Sequence, residues 1–570
     1  MSRQIVASAG AVYDVNSTCD VLHVARAAQF NSSEVLKQIV AAQQLLASGT
    51  TLPASVNAPF GAQSGAAWLG EDSSDVMSCS WSKDIDGVVG TVSIQLKPRT
   101  EYLETILPGD ILFVFMSDAG GYDPDDRFSG TLVTVAIVDR VAEPTTVQQH
   151  ATVEVVNVSA RDFGVVLSES STVFDQAFAQ IENAAFTGEF ISRLFGEKKQ
   201  LALSPLENVL ILLLLLYDSN STGSALASLQ WKLAASSEAA SPAQLISLLD
   251  VTTYVQNPLP FYAIAEPPGI IQAGNVWSLL ESYANPVVNE FFVDVRDVNP
   301  QERKFRELAS ANAKAKFYSG NPVDVANQDA AVRAALNSDV FRQSATRTDS
   351  GSTVPGSVDG TSVVALVMRQ RPYDADAFNA LPFTEVDSTE IETFEPARSS
   401  HDVFNWFRVR FPGLDVKLQE LVAGIRTVPQ SIAKFGFRRM EAETRYMFSS
   451  SDASVTFNKG STKTDFGDVF RAYIDLLSTW YSQNEFWYAG SLSMRFKPSI
   501  RIGTRFRLTR RGRVSDYYVQ GVHHSFAKDP GASRSTFTLT RGRVVNSATV
   551  PLIPVGDFQH DGFGISEGSQ

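Results

Sequence analysis

The chain is short of cysteine, histidine and long apolar runs, and each shortage narrows what it can be. Cys19 and Cys79 are its only thiols. Two cysteines make neither a disulfide scaffold nor a four-cysteine zinc site. Such a composition suits folding in a reducing compartment, and one bridge between them stays open. The six histidines are His23, His150, His401, His523, His524 and His560, and none falls in a H-E-x-x-H or other metal spacing. Cys19 and His23 lie one turn apart if their segment is helical, though a buried cysteine beside a chance histidine gives the same spacing. His523 and His524 are neighbours on an expected strand, so their rings point to opposite faces and cannot chelate together. The G-x-S-x-G string at Gly564 to Gly568 sits in the tail with no apolar strand before it, so it makes no nucleophile elbow, and no P-loop occurs. Paired carboxylates for sugar hydrolysis have no fixed spacing, so that chemistry stays open. Asp123, Asp125 and Asp126 lack the spaced oxygen donors of a calcium loop and read as a solvated acidic turn. No catalytic residue, cofactor or metal site is assigned.

The longest apolar run, Val209 to Tyr217, falls short of the roughly 20 residues that span a bilayer. The N-terminus lacks the basic-then-apolar layout of a leader. Stable membrane insertion is not expected, and the Leu-rich run reads as a core or interface helix. Basic residues are outnumbered 48 to 62, for a net charge of -14, which argues against a sequence-specific nucleic-acid binder.

What is present is enough for a large core. A chain of 570 residues, 44% hydrophobic and 19% charged, is globular and holds roughly three to four domains. Residues 1–70 read as an N-terminal arm and linker. Ser32-Ser33-Glu34 caps an expected helix with apolar Val35, Leu36, Ile39, Val40 and Leu46, and Pro53 to Ala67 is the linker. Such an arm either docks on a neighbouring subunit or is a poorly ordered end. Residues 71–170 form a first β block. Val88 to Leu96 alternates, Leu107-Pro108-Gly109-Asp110 turns, Ile111 to Met116 is wholly apolar, and Thr131 to Val141 and Ala151 to Ser159 are further strands. Residues 171–342 read as helical. Val173, Phe174, Ala177, Phe178 and Ile181 keep helical spacing, Trp277 to Tyr283 is amphipathic and stopped by Asn285-Pro286, and further helices are expected over Glu302 to Tyr318 and Asp329 to Phe341. Residues 343–360 form a polar flexible loop. Residues 361–412 and 489–545 make a second β block, interrupted by a helical insertion over 413–488 with helices at Val428 to Phe448 and Phe466 to Trp480. A tail, 546–570, follows. The fold class is α+β, with two small antiparallel barrels joined and flanked by helical segments.

The closing strands organise this reading. Arg501, Gly503, Arg505, Arg507 and Thr509 share one face of an alternating run, with Ile502, Phe506 and Leu508 on the other. Tyr517 to Phe526 is rich in Tyr, Val and Phe. Lys528 to Gly531 turns the chain, and Phe537 and Leu539 then alternate with Thr536, Thr538 and Thr540.

Several separated motifs carry a resemblance. Tyr518, Val519, Gly521, Val522, His524 and Phe526, then Thr538, Leu539, Thr540, Arg541 and Gly542, resemble the closing strands of phage baseplate hub proteins. Asn285, Pro286, Asn289, Glu290, Phe292 and Asp294 match a second segment of that family. Arg369, Pro372, Tyr373, Leu381, Pro382, Arg398, Ser399, Asp402, Val403, Asn405 and Phe407 match a third, continued by Gly436 and Arg438. The "GDIL", "GTLVTVAIVDRV" and "VNVSARDFG" strands resemble the family's first barrel. Dispersed over residues 77–545 in one order, these motifs are similar to hubs of contractile tails. The resemblance implies two tube-like barrels per subunit, His524 as a barrel-packing residue, and a homotrimer that adapts a six-fold tail tube to a three-fold spike. The implied partners are the tail tube protein, the central spike protein, other baseplate proteins and the tape measure protein. The implied location is the virion tail baseplate, with synthesis in the host cytoplasm. It implies a structural protein rather than an enzyme. A hub fused to a peptidoglycan-degrading activity, and the equivalent hub of a phage-like bacteriocin or secretion device, are the alternatives.

The local concentration of Arg501, Arg505, Arg507, Arg510, Arg511 and Arg513 stands out in an acidic chain. It is a solvated face, or a subunit or tube contact in which arginines pair with carboxylates. DNA in transit would touch it only non-specifically.

Overall fold

Apolar–polar alternation builds most of the observed architecture. In a computed structural model of the chain, the described residues are 4–6, 12–14, 17–25, 66–70, 74–118, 127, 130–148, 151–169, 171–175, 209, 249–254, 264–265, 271–285, 289–298, 361–372, 378–379, 381–400, 402–410, 425–444, 446–447, 474, 477–478, 480–529 and 531–545. The strands used below are β1 (Thr18–Val24), β2 (Ala66–Trp68), β3 (Val76–Asp84), β4 (Thr91–Leu96), β5 (Ile111–Ser117), β6 (Thr131–Ala142) and β7 (Val156–Asp162). They continue with β8 (Leu249–Tyr254), β9 (Asn289–Val298), β10 (Thr361–Gln370), β11 (Phe383–Asp387) and β12 (Ile391–Phe394). The last are β13 (Tyr488–Arg495), β14 (Arg505–Arg510), β15 (Arg513–Ala527) and β16 (Arg534–Val544). In β4, Val92, Ile94 and Leu96 are buried and their neighbours exposed, while β5 is buried from Ile111 to Met116.

One 13-stranded sheet runs β12–β13–β16–β15–β3–β4–β7–β6–β5–β1–β2, with β14 pairing β15 and β11. The branch point is β15. Its first part pairs with β14, from Arg510↔Arg513 to Arg505↔Tyr518. Its last part pairs with β3, from Gly521↔Asp84 to Ala527↔Ser78. Bulges between Asp516 and Tyr518 and between Val519 and Gly521 bend the strand where it changes neighbour. Gly521 fits closely there: a Cβ would lie 3.0 Å from Asp84 Oδ2 and 3.2 Å from Thr538 Oγ1, so those side chains would have to shift to admit one.

Both halves of the sheet curl. Laid flat, the order β12–β13–β16–β15–β14–β11 would hold its outer strands about 24 Å apart. Yet β11 and β12 are joined only through the short 3₁₀ turn Ser388–Glu390, which reaches about 14 Å at most. In the other half, β1 and β3 are separated in order by β4, β7, β6 and β5, yet Cys19 and Cys79 share one core and Ser74, just before β3, donates Oγ to the Cys19 carbonyl at 2.7 Å. One apolar core holds Trp81, Ile94 and Val114 from the first half with Phe506, Val522 and Phe537 from the second. A separate sheet, β8–β10–β9, lies against it and contributes Phe292 and Val367 to the same core.

The helix before β9 is the expected one. It spans Val276–Ala284, with Asn275 Oδ1 accepting from Ser278 N at 2.7 Å and Asn285 left-handed at φ 61°. Asn289 Nδ2 then donates to the Ala284 carbonyl at 2.7 Å, so the Asn285 to Asn289 motif closes the helix and starts the strand.

Elsewhere the expected α+β balance tilts towards β among the described residues. Thr18–Val24, assigned to an arm, is a buried strand inside the sheet. Its apolar pattern is broken by Asp20 and His23, both buried; His23 Nε2 meets Asp110 Oδ2 at 2.8 Å, and the positive charge of Arg127 acts on Asp20. Cys19 and His23 therefore lie about 13 Å apart along a strand rather than one helical turn apart. Val173 and Phe174, given helical spacing, lie in the strand Ser171–Asp175, paired with Ile271–Asn275. Their β-branched and aromatic run fits a strand as well as a helix over so short a length. The expected helix from Val428 to Phe448 stops at Phe435, after Pro429–Phe435. Gly436 at φ 75° turns the chain, and Arg439–Glu443 pairs with Trp406–Arg410. Ala151 to Ser159 divides into Ala151–Glu154 and β7. The helix ending near Trp480 is present at positions 474, 477, 478, 480 and 481. The expected helices at 34–49, 302–318 and 329–341, the Leu-rich run beyond Val209, the loop 343–360, the acidic turn at Asp123, Asp125 and Asp126, and the tail 546–570 lie outside the described residues.

Candidate assembly interface

The arginine cluster divides into a buried half and an exposed half. Arg501 precedes β14, in a turn rather than on the strand face expected for it. Its guanidinium donates to the Leu132 and Val133 carbonyls of β6 at 2.5 and 3.3 Å and lies 3.7 Å from Asp294. Arg505 is buried, 3.2 Å from Asp516, and donates to the Asn379 carbonyl at 2.9 Å. Arg507 binds the same Asp516 with two hydrogen bonds, at 2.7 and 3.1 Å. Both guanidinium groups stack on Phe383, 4.8 and 4.5 Å from the ring centroid. Burial lowers the Arg505 guanidinium below its ordinary value, while hydrogen bonding to Asp516 raises that of Arg507. These three residues are structural ties. The partner that binds two of them, Asp516, was not singled out by sequence; Glu385, 3.9 Å from Arg507, is a further acid beside them.

Arg510, Arg511 and Arg513 remain. They form the β14–β15 hairpin turn, are exposed, and make no ion pair among the described residues. Arg511 at φ 50° and Gly512 at φ 71° shape the turn as a left-handed pair, which matches the twist of a tight hairpin. The result is a projecting cationic tip.

The separated motifs of the sequence meet in the core. Arg369, at the end of β10, donates Nε to Glu290 Oε2 at 2.7 Å, and Nη2 to the Gly503 carbonyl at 2.7 Å and to Tyr518 Oη at 2.9 Å. Tyr518 Oη donates in turn to the other oxygen of Glu290. All three residues are buried. Burial opposes charge on Arg369, but Glu290 and Tyr518 raise its affinity for the proton above the ordinary value. Burial and Glu290 raise the Tyr518 phenol well above its own. The junction ties the β8–β10–β9 sheet to β15. The sequence signal for it is a charge placed at the end of each apolar run.

A second meeting point lies at Asn405, wholly buried in the segment before Trp406–Arg410. Its side chain donates to the Gly436 carbonyl at 2.7 Å and accepts from Arg438 N at 2.8 Å. His524 is also fully buried. It stacks on Trp81 at 5.6 Å, receives Phe496 and Phe537 edge-on, and hydrogen-bonds Ser535 Oγ at 2.8 Å. Burial pushes its imidazole down to about 3, so it is neutral at ordinary pH, while His523 faces out. The two rings do point to opposite faces. Among the described residues no group of three or more His, Cys, Asp or Glu could hold a metal ion, and no helix is long and apolar enough to cross a membrane.

No protein-family model and no curated protein matches the chain. Solved structures do. The tail protein from Neisseria meningitidis MC58 is 9% identical over 82% of this chain and 92% of that one, with a TM-score of 0.39. The 43 kDa tail protein of prophage MuSo2 from Shewanella oneidensis is 10% identical over 82% and 94%, at 0.36. The E. coli c3393 protein, a component of the type VI secretion system, is 8% identical over 82% and 73%, at 0.29. This chain is similar in structure to phage tail proteins and to a type VI secretion component.

Proposed function

We propose that the chain is a structural, non-enzymatic baseplate hub of a phage tail, a homotrimer that adapts the six-fold tail tube to the three-fold spike. The observation that carries this reading is the convergence of motifs. Three separated stretches of the sequence resemble hub proteins, and their Glu290, Arg369 and Tyr518 close one buried junction. Residues 71–170, and residues 361–412 with 489–545, act as two tube-like barrels, fused edge to edge through β3 and β15. A single sheet with two curled halves supports that division. Three copies then present six such barrels to the tube. The hairpin tip at Arg510, Arg511 and Arg513 contacts an acidic surface of a neighbouring subunit or of the tube, with the spike protein, the other baseplate proteins and the tape measure protein as further neighbours.

Mixing the purified chain with the tail tube protein tests this reading. Electron micrographs are expected to show the chain capping one end of each tube. Tubes left bare at both ends in the presence of excess folded chain would contradict it. Clearing of purified cell wall by the chain would favour the alternative of a hub with a peptidoglycan-degrading activity.

A further inference from the structure

A cavity of about 280 Å³ opens beside β15 and β16, lined by Arg541, Trp480, Tyr481 and Trp487 among others. Arg541 has φ 56°, a left-handed conformation that non-glycine residues take infrequently. Its guanidinium lies over the Trp480 ring at 4.2 Å and the Tyr481 ring at 5.8 Å, and Nη1 donates to Asn484 Oδ1. No carboxylate pairs with it among the described residues. Asp86, also on the cavity wall, lies 3.8 Å from Arg371 and accepts from Gln520 at 3.0 Å. Asp402 lines the cavity without forming an ion pair with Arg541. Burial, aided by the positive charge of Arg371, pushes the Arg541 guanidinium down to about 10. On the same wall, the Trp487 indole N–H is buried with no acceptor among the described residues. A half-buried cation held by aromatic faces and one amide oxygen, beside a buried and unsatisfied N–H, is costly until an anion arrives.

We propose that this cleft binds a carboxylate, the side chain of an aspartate or glutamate on a partner polypeptide. One carboxylate has oxygens enough to accept from both the guanidinium and the indole N–H. The rings of Trp480 and Tyr481 take the flat or apolar neighbour of the acidic residue. The volume sits at the lower end of ligand pockets; it suits a side chain or two and is small for a nucleotide or a glycan chain. The site requires only the folded monomer, so it stands or falls separately from the trimeric hub.

Calorimetric titration of the full chain with N-acetyl-Phe-Glu-amide tests it. Binding is expected, with the Gln counterpart at least tenfold weaker. Arg541→Met is expected to lower affinity for the Glu peptide at least tenfold, with an unchanged or raised melting temperature, because the free protein gives that cation no carboxylate. Should Arg541→Met fail to fold, Trp487→Phe keeps the ring, removes the N–H, and is expected to weaken binding several-fold. No binding at millimolar peptide, equal binding of the Gln peptide, or full affinity in a folded Arg541→Met would overturn the proposal. Tighter binding of N-acetyl-Phe through its α-carboxylate would replace a side chain with a chain terminus, and would also overturn it.

Discussion

Glu290, Arg369 and Tyr518 hold one another inside an apolar core, and their cost structure is asymmetric. Removing one member leaves the opposite charge buried and unpaired, which costs roughly 3–5 kcal/mol. Glu290→Gln is therefore expected to lower unfolding stability by about that amount in urea titrations. The double variant Glu290→Gln/Arg369→Met is expected to recover much of the loss, since no buried charge is left alone. Titration gives a second residue-scale expectation. His524 in the folded state sits at about 3, against an ordinary value near 6.5. Above that ordinary value both states are neutral. As pH falls below it the unfolded chain takes a proton that the folded chain refuses, so stability is lost from about pH 6.5 downwards, by about 1.4 kcal/mol per pH unit. Asp20 acts in the opposite sense. Burial pushes it up to about 6, with Arg127 pulling it down, so its contribution is present below its unfolded value near 4 and lost as pH rises through 6. Between pH 6 and 4, His524→Gln is expected to flatten the acid-side loss and Asp20→Asn to steepen it, read from urea midpoints. That His523 and His524 face opposite ways was legible from strand period; that His524 is the inner one was implied only by the resemblance. The ionic partners were not, because an ion pair between residues 290 and 369 leaves no local spacing.

At the scale of elements, period 2 exposed strands clearly wherever one face is wet, as in β4, β14 and β16. It failed where strands are short or interrupted by buried charge. Val173 and Phe174 fit both periods, and β1 hides its strand character behind Asp20 and His23. The arginine run from 501 to 509 looked like one face, but β14 begins only at Arg505. Arg501 reaches instead to carbonyls of β6. What remains exposed is the hairpin tip. Reversing its charge with Arg510→Glu, Arg511→Glu and Arg513→Glu is expected to change stability by less than about 0.5 kcal/mol, since the residues are on the surface. The same variant is expected to lose self-association or tube binding in sedimentation. An unchanged assembly would make the tip a solvated turn. The β15–β3 joint makes a separate expectation. Gly521→Val places side-chain atoms against Asp84 and Thr538, so amide hydrogen exchange is expected to quicken in β3 and in the second part of β15 while the first part keeps its protection.

For the whole molecule, the sequence led to two β blocks and their order, but not to their union. Nothing in residues 76–84 or 513–527 announces that the two strands pair, because a strand edge carries no label for its partner. The pairing spans more than 400 residues, and it leaves the two blocks sharing one core. The proposed trimeric hub would use this joined double unit to offer two β blocks per subunit to a six-fold tube. The most direct test is the mass of the purified full chain by light scattering, alone and with the spike protein. A stable species of three times 62.1 kDa is expected. A strict monomer at high concentration, unchanged by the spike protein, would contradict a trimeric hub.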